Sequence, residues 1–167
     1  MTAITLLAST PSLMYSDGEV RKVSGKLAIV LGRLAVMPGK GVPRTHLINA
    51  AWSDGNGTSK ALNDVLKKLR NEFGVPIPVA ARGVHHYMID IDRSQVDATL
   101  FMDGVDEVAE RADLDKIDEL LASWQEQQQT FTGYEWRQPV ERHHRQLIEV
   151  VRELTEAQRH AVRSAKR

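Results

Sequence analysis

The sequence predicts an α+β protein in which a mixed N-terminal domain is followed by a small all-α helical domain. Three observations predict it. Short strand-like runs open the chain, three amphipathic helical segments follow, and a strand–turn–strand pattern with a basic tip comes next. This order of elements is typical of a winged helix. We therefore place the winged helix over residues 1–93 and the helical domain over residues 94–167.

The first 23 residues predict short antiparallel strands. Residues 3–8 are apolar, and residues 13–16 and 19–23 lie on either side of Asp17-Gly18. An Asp-Gly pair between two strand-like runs is typical of a tight hairpin turn. We therefore expect a hairpin at this position.

Two helices are predicted next. The first runs from about residue 25 to residue 37, with Ser24 as its cap and Pro38-Gly39 as its stop signal. The second covers residues 44–52, and the Ser-Asp-Gly-Asn-Gly run over 53–57 predicts a turn after it.

A third helix is predicted from about residue 59 to residue 73, with Thr58 or Ser59 as its cap and Gly74 just past its end. This helix is strongly amphipathic. Its apolar stripe consists of Leu62, Val65, Leu66, Leu69 and Phe73. Its polar side carries Lys60, Asn63, Asp64, Lys67, Lys68, Arg70 and Asn71.

The wing is predicted as a β-hairpin. Residues 77–81 and 84–91 have strand-like composition, and they lie on either side of Arg82-Gly83. We therefore expect two paired strands with a basic tip.

The rest of the chain predicts helices. Amphipathic patterns cover residues 96–110 and 114–125, a loop is expected over 125–138, and one long helix over 140–165. The expected inner faces consist of Phe101, Val105, Val108, Ile117, Leu120, Leu121, Trp124, Leu147, Ile148, Val151, Leu154, Ala161 and Val162.

Several stretches resemble one known family. The Met-Pro-Gly-Lys-Gly-Val turn over 37–42 leads into a helix that ends in Trp52, and the runs over 61–74 and 82–87 follow it. Together they resemble the OmpR-like winged-helix domain of the actinobacterial antibiotic-regulatory (SARP-type) activators, although His86 stands where that family usually has glycine. Residues 96–101 resemble the opening of the bacterial transcriptional activator domain that follows in those proteins. The resemblance implies a DNA-binding transcription regulator with a truncated activator domain.

The residue types of the third helix suit DNA. A recognition helix needs an apolar face that holds it on its domain and a polar face that enters the major groove. Lysine and arginine neutralise phosphates or donate to guanine, and asparagine can pair with adenine. Arg82 at the predicted hairpin tip is in a position to enter the minor groove. The start of the second helix, with Arg44 and Thr45, can bind a phosphate through backbone N–H groups. The candidate DNA-binding residues are Arg44, Thr45, Lys60, Asn63, Lys67, Lys68, Arg70, Asn71 and Arg82.

A simpler interpretation is that these basic residues form the solvated face of an amphipathic helix. The corresponding alternative function is a protein-interaction adaptor that keeps the winged-helix fold and contacts a partner such as RNA polymerase. The net charge of zero and Asp64 favour that alternative.

The zero net charge conceals an uneven distribution. Residues 1–93 contain 12 basic and 7 acidic residues, residues 94–136 contain 2 and 11, and residues 137–167 contain 8 and 4. A basic N-terminal unit suits double-stranded DNA. The acidic segment is a solvated face or a surface for RNA polymerase. The long C-terminal helix packs on the helices before it or supplies a homodimer contact.

Other classes of function are not supported by the sequence. There is no cysteine, no His-x-x-x-His pair, no complete calcium loop and no phosphate-binding glycine motif, so we expect no metal, no cofactor and no enzyme activity. No apolar run of membrane-spanning length and no signal peptide is recognised, and we therefore expect a cytoplasmic protein without a membrane partner.

Overall fold

The structure is a computed structural model that describes residues 1–8, 10–79, 85–111, 113–125 and 134–165; the side chains of residues 125 and 158–165 are not described. Within this part of the chain there are six α-helices and two small antiparallel sheets, which makes the fold α+β. The helices are α1 (Gly25–Ala35), α2 (Arg44–Ala51), α3 (Ser59–Asn71), α4 (Asp97–Arg111), α5 (Leu114–Gln125) and α6 (Gln138–Ala165). The strands are β1 (Ala3–Thr5), β2 (Ser12–Met14), β3 (Val20–Lys22), β4 (Val42–Pro43) and β5 (His86–Tyr87).

The predicted N-terminal hairpin is confirmed. Strands β2 and β3 pair antiparallel with Met14 opposite Val20, and β1 adds a third strand beside β2. The turn is closed by the Tyr15 amide, which donates to the Glu19 carbonyl over 3.0 Å. Gly18 has a φ of 85°, a conformation that favours glycine, which explains the Asp-Gly signal.

The predicted wing hairpin is not found as a pair of neighbouring strands. Residues 77–79 form no strand, and β5 pairs instead with β4, so that Val42 lies opposite Tyr87. Pro76 and Pro78 have no N–H group to donate to a ladder, which accounts for the missing strand. The predicted tip, residues 80–84, lies outside the described residues.

The first three helices form around one apolar core. Helices α1, α2 and α3 pack on one another, and the predicted apolar stripe of α3 faces inward. The leucines of these helices with no exposed surface are Leu31, Leu34, Leu47, Leu62, Leu66 and Leu69. The predicted existence of these helices is confirmed, and their ends differ by one or two residues.

The remaining helices form a second layer around α4, which packs against both α5 and α6. Trp124 of α5 stacks between Phe101 of α4 (ring centroids 5.3 Å apart) and His144 of α6 (4.1 Å). Leu147 is fully buried, whereas Ile148, expected on the inner face, is 45% exposed. Most of the predicted loop lies outside the described residues, but its end forms a short 3₁₀ helix over Glu135–Arg137. None of the helices described has the length and apolar character that crossing a membrane requires.

Direct contacts join the two predicted domains. The Asp97 carboxylate at the start of α4 accepts hydrogen bonds from the Leu6 and Leu7 amides, over 2.7 Å and 3.1 Å. Trp136, which is fully buried, lies against Gly32 of α1. The neighbouring residues Arg33 and Glu135 form an ion pair of 2.6 Å. The boundary at residue 93 stays a prediction, and the parts on its two sides pack together through contacts that include these three.

Gly32→Ala is expected to destabilise the fold. A Cβ at position 32 would overlap the Trp136 ring, and overpacking of this kind typically costs about 1–3 kcal/mol. Chemical denaturation followed by circular dichroism measures the free energy of unfolding.

The control is Gly32→Ala in a Trp136→Leu background. With the ring removed, alanine should stabilise α1 through its higher helix propensity, by up to about 1 kcal/mol. An unfolding free energy that rises on Gly32→Ala in the wild-type background would contradict the packing described.

Stability should fall as the pH drops through the ordinary titration range of His144. Burial lowers the pKa of His144 below its usual value, so the unfolded chain binds a proton at a pH where the folded chain does not. The contribution is fully present above about pH 6.5 and is lost as the pH falls toward the folded pKa. His144→Phe keeps a ring on Trp124 without a titrating group, so its unfolding free energy should depend less on pH between about 7 and 5. An equal dependence in both proteins would exclude this role.

Candidate nucleic-acid interface

The candidate interface is built on α3, whose orientation follows from its buried side. Leu62, Leu66 and Leu69 face the core at helical spacing, so the polar residues between them face solvent. The exposed polar residues are Lys60, Asn63, Asp64, Lys67, Lys68 and Asn71, and we call this surface the α3 outer face. Arg70 lies at its margin, half-buried, with its Nε enclosed.

The α3 outer face has a positive balance. Helix α3 carries four basic residues and one acidic residue, Asp64. Nζ of Lys68 lies 3.7 Å from Oε2 of Glu72, and this carboxylate partly neutralises the charge of the lysine. Among the residues that the structure describes, no ion pair within 4.0 Å involves Lys60 or Lys67. These two ammonium groups are therefore the ones most available to an external anion.

Tyr87 of β5 connects the small sheet to the α3 outer face. Its hydroxyl group donates a hydrogen bond to Oδ1 of Asn63 over 3.2 Å, and its ring is 5% exposed. The Arg44 guanidinium lies over this ring, with its Cζ 6.0 Å from the centroid. Three elements, α2, α3 and β5, thus meet at one tyrosine.

The predicted phosphate site at the start of α2 is partly corrected. The Arg44 amide donates to the His85 carbonyl over 2.7 Å, so this N–H group is already used and does not face a phosphate. Thr45, the next residue, is exposed. The error arose because the pairing of β4 with β5, which brings residue 85 to this helix end, is not readable from local sequence.

The predicted site residues divide into three groups. Lys60, Asn63, Lys67, Lys68 and Asn71 share the α3 outer face, with Arg70 at its edge. Arg44 and Thr45 lie at the start of α2, where Arg44 reaches Tyr87. Arg82 lies outside the described residues.

Sequence reasoning gave Tyr87 no role at the site. In the structure, burial alternates along this segment: Tyr87 and Ile89 are buried, whereas His86 and Met88 are exposed. A buried tyrosine usually places its hydroxyl group against a polar partner, and that rule points to a bond of this kind.

The far end of α3 is held by the N-terminal sheet. The Tyr15 hydroxyl donates to the Phe73 carbonyl over 2.6 Å, and the Arg21 guanidinium donates to the Glu72 carbonyl over 2.9 Å. These bonds satisfy carbonyls just past the helix, which otherwise need a cap or water. Burial raises the pKa of Tyr15 and so favours its protonated, donating form.

Metal-binding chemistry has no support in the described part of the chain, where no group of three or more His, Asp or Glu side chains is arranged to hold an ion. Apart from the Asp64 carboxylate, the surface at α3 consists of ammonium, guanidinium and amide groups, which bind anions and base edges.

Comparison with known proteins gives a likeness of fold. No family model matches the chain, and no curated protein matches it. A solved structure of Mycobacterium tuberculosis EmbR, in complex with a low-affinity phosphopeptide, matches with a TM-score of 0.54 and 20% sequence identity. The match covers 74% of this chain and 35% of the EmbR chain, so this chain corresponds to about a third of that protein. The chain therefore has an EmbR-like α+β fold.

Thr58→Ala is expected to weaken the start of α3. The Thr58 side chain accepts a hydrogen bond from the Ala61 amide over 3.1 Å, and loss of such a cap typically costs about 1 kcal/mol. Thr58→Ser keeps the hydroxyl group and should retain most of the stability. Urea denaturation of the three proteins measures the difference, and equal midpoints for alanine and serine would argue against the cap.

Proposed function

We propose that this protein is a transcription regulator that binds double-stranded DNA and places α3 in the major groove. One observation carries the proposal. Helix α3 buries three leucines completely and turns amide and ammonium groups of Asn63, Lys60 and Lys67 to solvent on its opposite side. The B-DNA major groove admits an α-helix, and amide and cationic side chains are the types that read its base edges.

The charge arrangement supports phosphate contact. Lys60 and Lys67 have no ion-pair partner among the described side chains, so a phosphate does not have to compete with an internal carboxylate. Binding to phosphates releases counterions, which makes the affinity strongly dependent on salt. The acidic residues of 94–136 all lie outside residues 1–93, the segment that carries α3, and that segment is basic.

The likeness to EmbR gives separate support. EmbR is a regulator of the antibiotic-regulatory type, the family that the sequence motifs resemble. Since this chain corresponds to about a third of EmbR, transfer of the regulatory role is part of our proposal. Arg82 remains our predicted wing contact.

The partners and surroundings follow from this function. We propose DNA as the principal partner, a cytoplasmic location and no enzymatic activity. Contacts with RNA polymerase through the acidic helices α4 and α5, and homodimer formation through α6, stay predictions. Two half-sites on DNA would raise the modest affinity expected of one winged helix.

The second candidate is the adaptor without DNA binding. Exposed Asp103, Asp106 and Glu107 on α4, together with Asp118 and Glu119 on α5, favour a basic protein surface as the partner. Asp64 on the α3 outer face also opposes phosphate. The two candidates differ in whether the outer face of α3 is required.

Lys60→Ala/Lys67→Ala is expected to weaken DNA binding and to reduce its salt dependence. Each lost phosphate contact lowers the slope of log K against log salt by about 0.9, so the double variant should lose about 2. Fluorescence anisotropy with labelled duplexes at several salt concentrations measures both quantities.

The matched control is Arg111→Ala/Lys116→Ala, which also removes two positive charges. Arg111 and Lys116 are paired with Glu107 and Glu119 away from α3, so the control should keep the wild-type slope. Equal losses in both double variants would indicate a general charge effect. If the wild-type protein does not bind any duplex at low salt, the adaptor replaces the DNA-binding function.

A further inference from the structure

The hydrogen bond between Tyr87 and Asn63 determines which half of the Asn63 amide is presented outward. The Tyr87 hydroxyl group donates to Oδ1 of Asn63 over 3.2 Å, on the side of α3 that faces β5. Asn63 itself is exposed on the α3 outer face. With the oxygen directed toward Tyr87, the Nδ2 amino group is the part that is left for an external partner.

Tyr87 is in a position to keep this orientation. Its ring is 5% exposed, it lies opposite Val42 in the β4–β5 pair, and the Arg44 guanidinium covers it. The backbone of this region is held by the bond from the Arg44 amide to the His85 carbonyl. If Asn63 turned its oxygen away, the hydroxyl proton of a buried tyrosine would lose this acceptor, and the amide nitrogen could only donate to the phenol oxygen, which is a weaker acceptor than an amide oxygen.

Adenine and guanine form hydrogen bonds with different groups of an asparagine side-chain amide. The major-groove edge of adenine has an acceptor at N7 and a donor at N6, so a bidentate pair uses both the amide oxygen and the amide nitrogen. The edge of guanine has two acceptors, N7 and O6. An amide whose nitrogen faces outward and whose oxygen is engaged by a tyrosine therefore suits guanine better than adenine.

We infer that Tyr87 is a specificity-determining positioning residue, which holds Asn63 as a hydrogen-bond donor toward a guanine edge. This inference rests on the proposed function, and it changes the adenine preference that the residue type alone predicts for Asn63. Tyr87 acts through Asn63 and does not itself contact the base.

The test is selection of binding sites from a random duplex library, followed by affinity measurements at fixed salt. Selection with the wild type and with Asn63→Ala identifies the base pair that Asn63 reads, as the position where the variant loses its preference. The wild type is expected to select guanine there. Tyr87→Phe removes only the hydroxyl group and frees the amide oxygen, so the preference for guanine over adenine should fall about fivefold, the effect of one hydrogen bond.

Two further variants separate positioning from a loss of stability. Tyr15→Phe is the matched control, because it also removes a tyrosine hydroxyl group bonded at α3, here to the Phe73 carbonyl at the other end. It should leave the base preference unchanged. In an Asn63→Ala background, Tyr87→Phe should have no further effect on the preference.

Asn63→Asp is a second test of the inference for the case in which Tyr87→Phe does not fold. Position 63 is exposed, so the fold tolerates this change. It keeps an acceptor for Tyr87 but has no amide donor, and it should lose the guanine preference.

Several results would overturn the inference while leaving DNA binding intact: wild-type selection of adenine, no position relaxed by Asn63→Ala, or an equal change in Tyr15→Phe and Tyr87→Phe. In each of these cases the affinity of the wild-type protein for DNA would still fall with rising salt, which shows that DNA binding itself is retained. Absence of wild-type binding at low salt would overturn the proposed function together with the inference.

Discussion

The burial of one row of leucines on α3 is the constraint on which the candidate interface depends. Leu62, Leu66 and Leu69 have no exposed surface, so the helix cannot rotate about its axis without exposing apolar area to water. This fixes the outward direction of every other side chain on α3. The cap at Thr58 and the bonds to carbonyls after the helix then fix its two ends. The charges at the surface are therefore presented by a rigid element, and the affinity for an anion is not reduced by ordering a mobile segment.

Local sequence was sufficient for the helices and insufficient for the contacts between distant parts of the chain. The stripe and cap of α3 repeat at short spacing, and so does the Asp17-Gly18 hairpin, which explains why these elements could be predicted. The pairing of β4 with β5 joins residues far apart in the chain, and Val42-Pro43 is too short to give a strand pattern. The role of Tyr87 depends on that pairing, so it could not be found from residue type alone. For the same reason, local sequence predicts an Arg44 amide that is available to a phosphate, whereas this amide bonds to the His85 carbonyl.

The packing of α4 and α5 shows where the acidic side chains of these two helices lie. Apart from Asp97, the acidic residues of α4 and α5 occupy exposed positions, while the inner sides of the two helices surround Trp124 and Phe101. The net charge of zero is therefore a sum over segments of opposite sign, and the segment that carries α3 is basic. A local excess of basic side chains attracts a polyanion before any contact forms.

The contact between Trp136 and Gly32 limits how this protein can be divided or recombined. Cutting the chain after residue 93 would uncover the trough on α1 that receives the indole ring, and it would leave the amides of Leu6 and Leu7 without the Asp97 carboxylate. An exposed apolar trough of this kind promotes aggregation, and orphaned amides weaken the first strand. A chimera that transplants the segment carrying α3 into another protein must therefore include the chain through residue 137 as one unit. The transferable unit of this molecule is larger than residues 1–93.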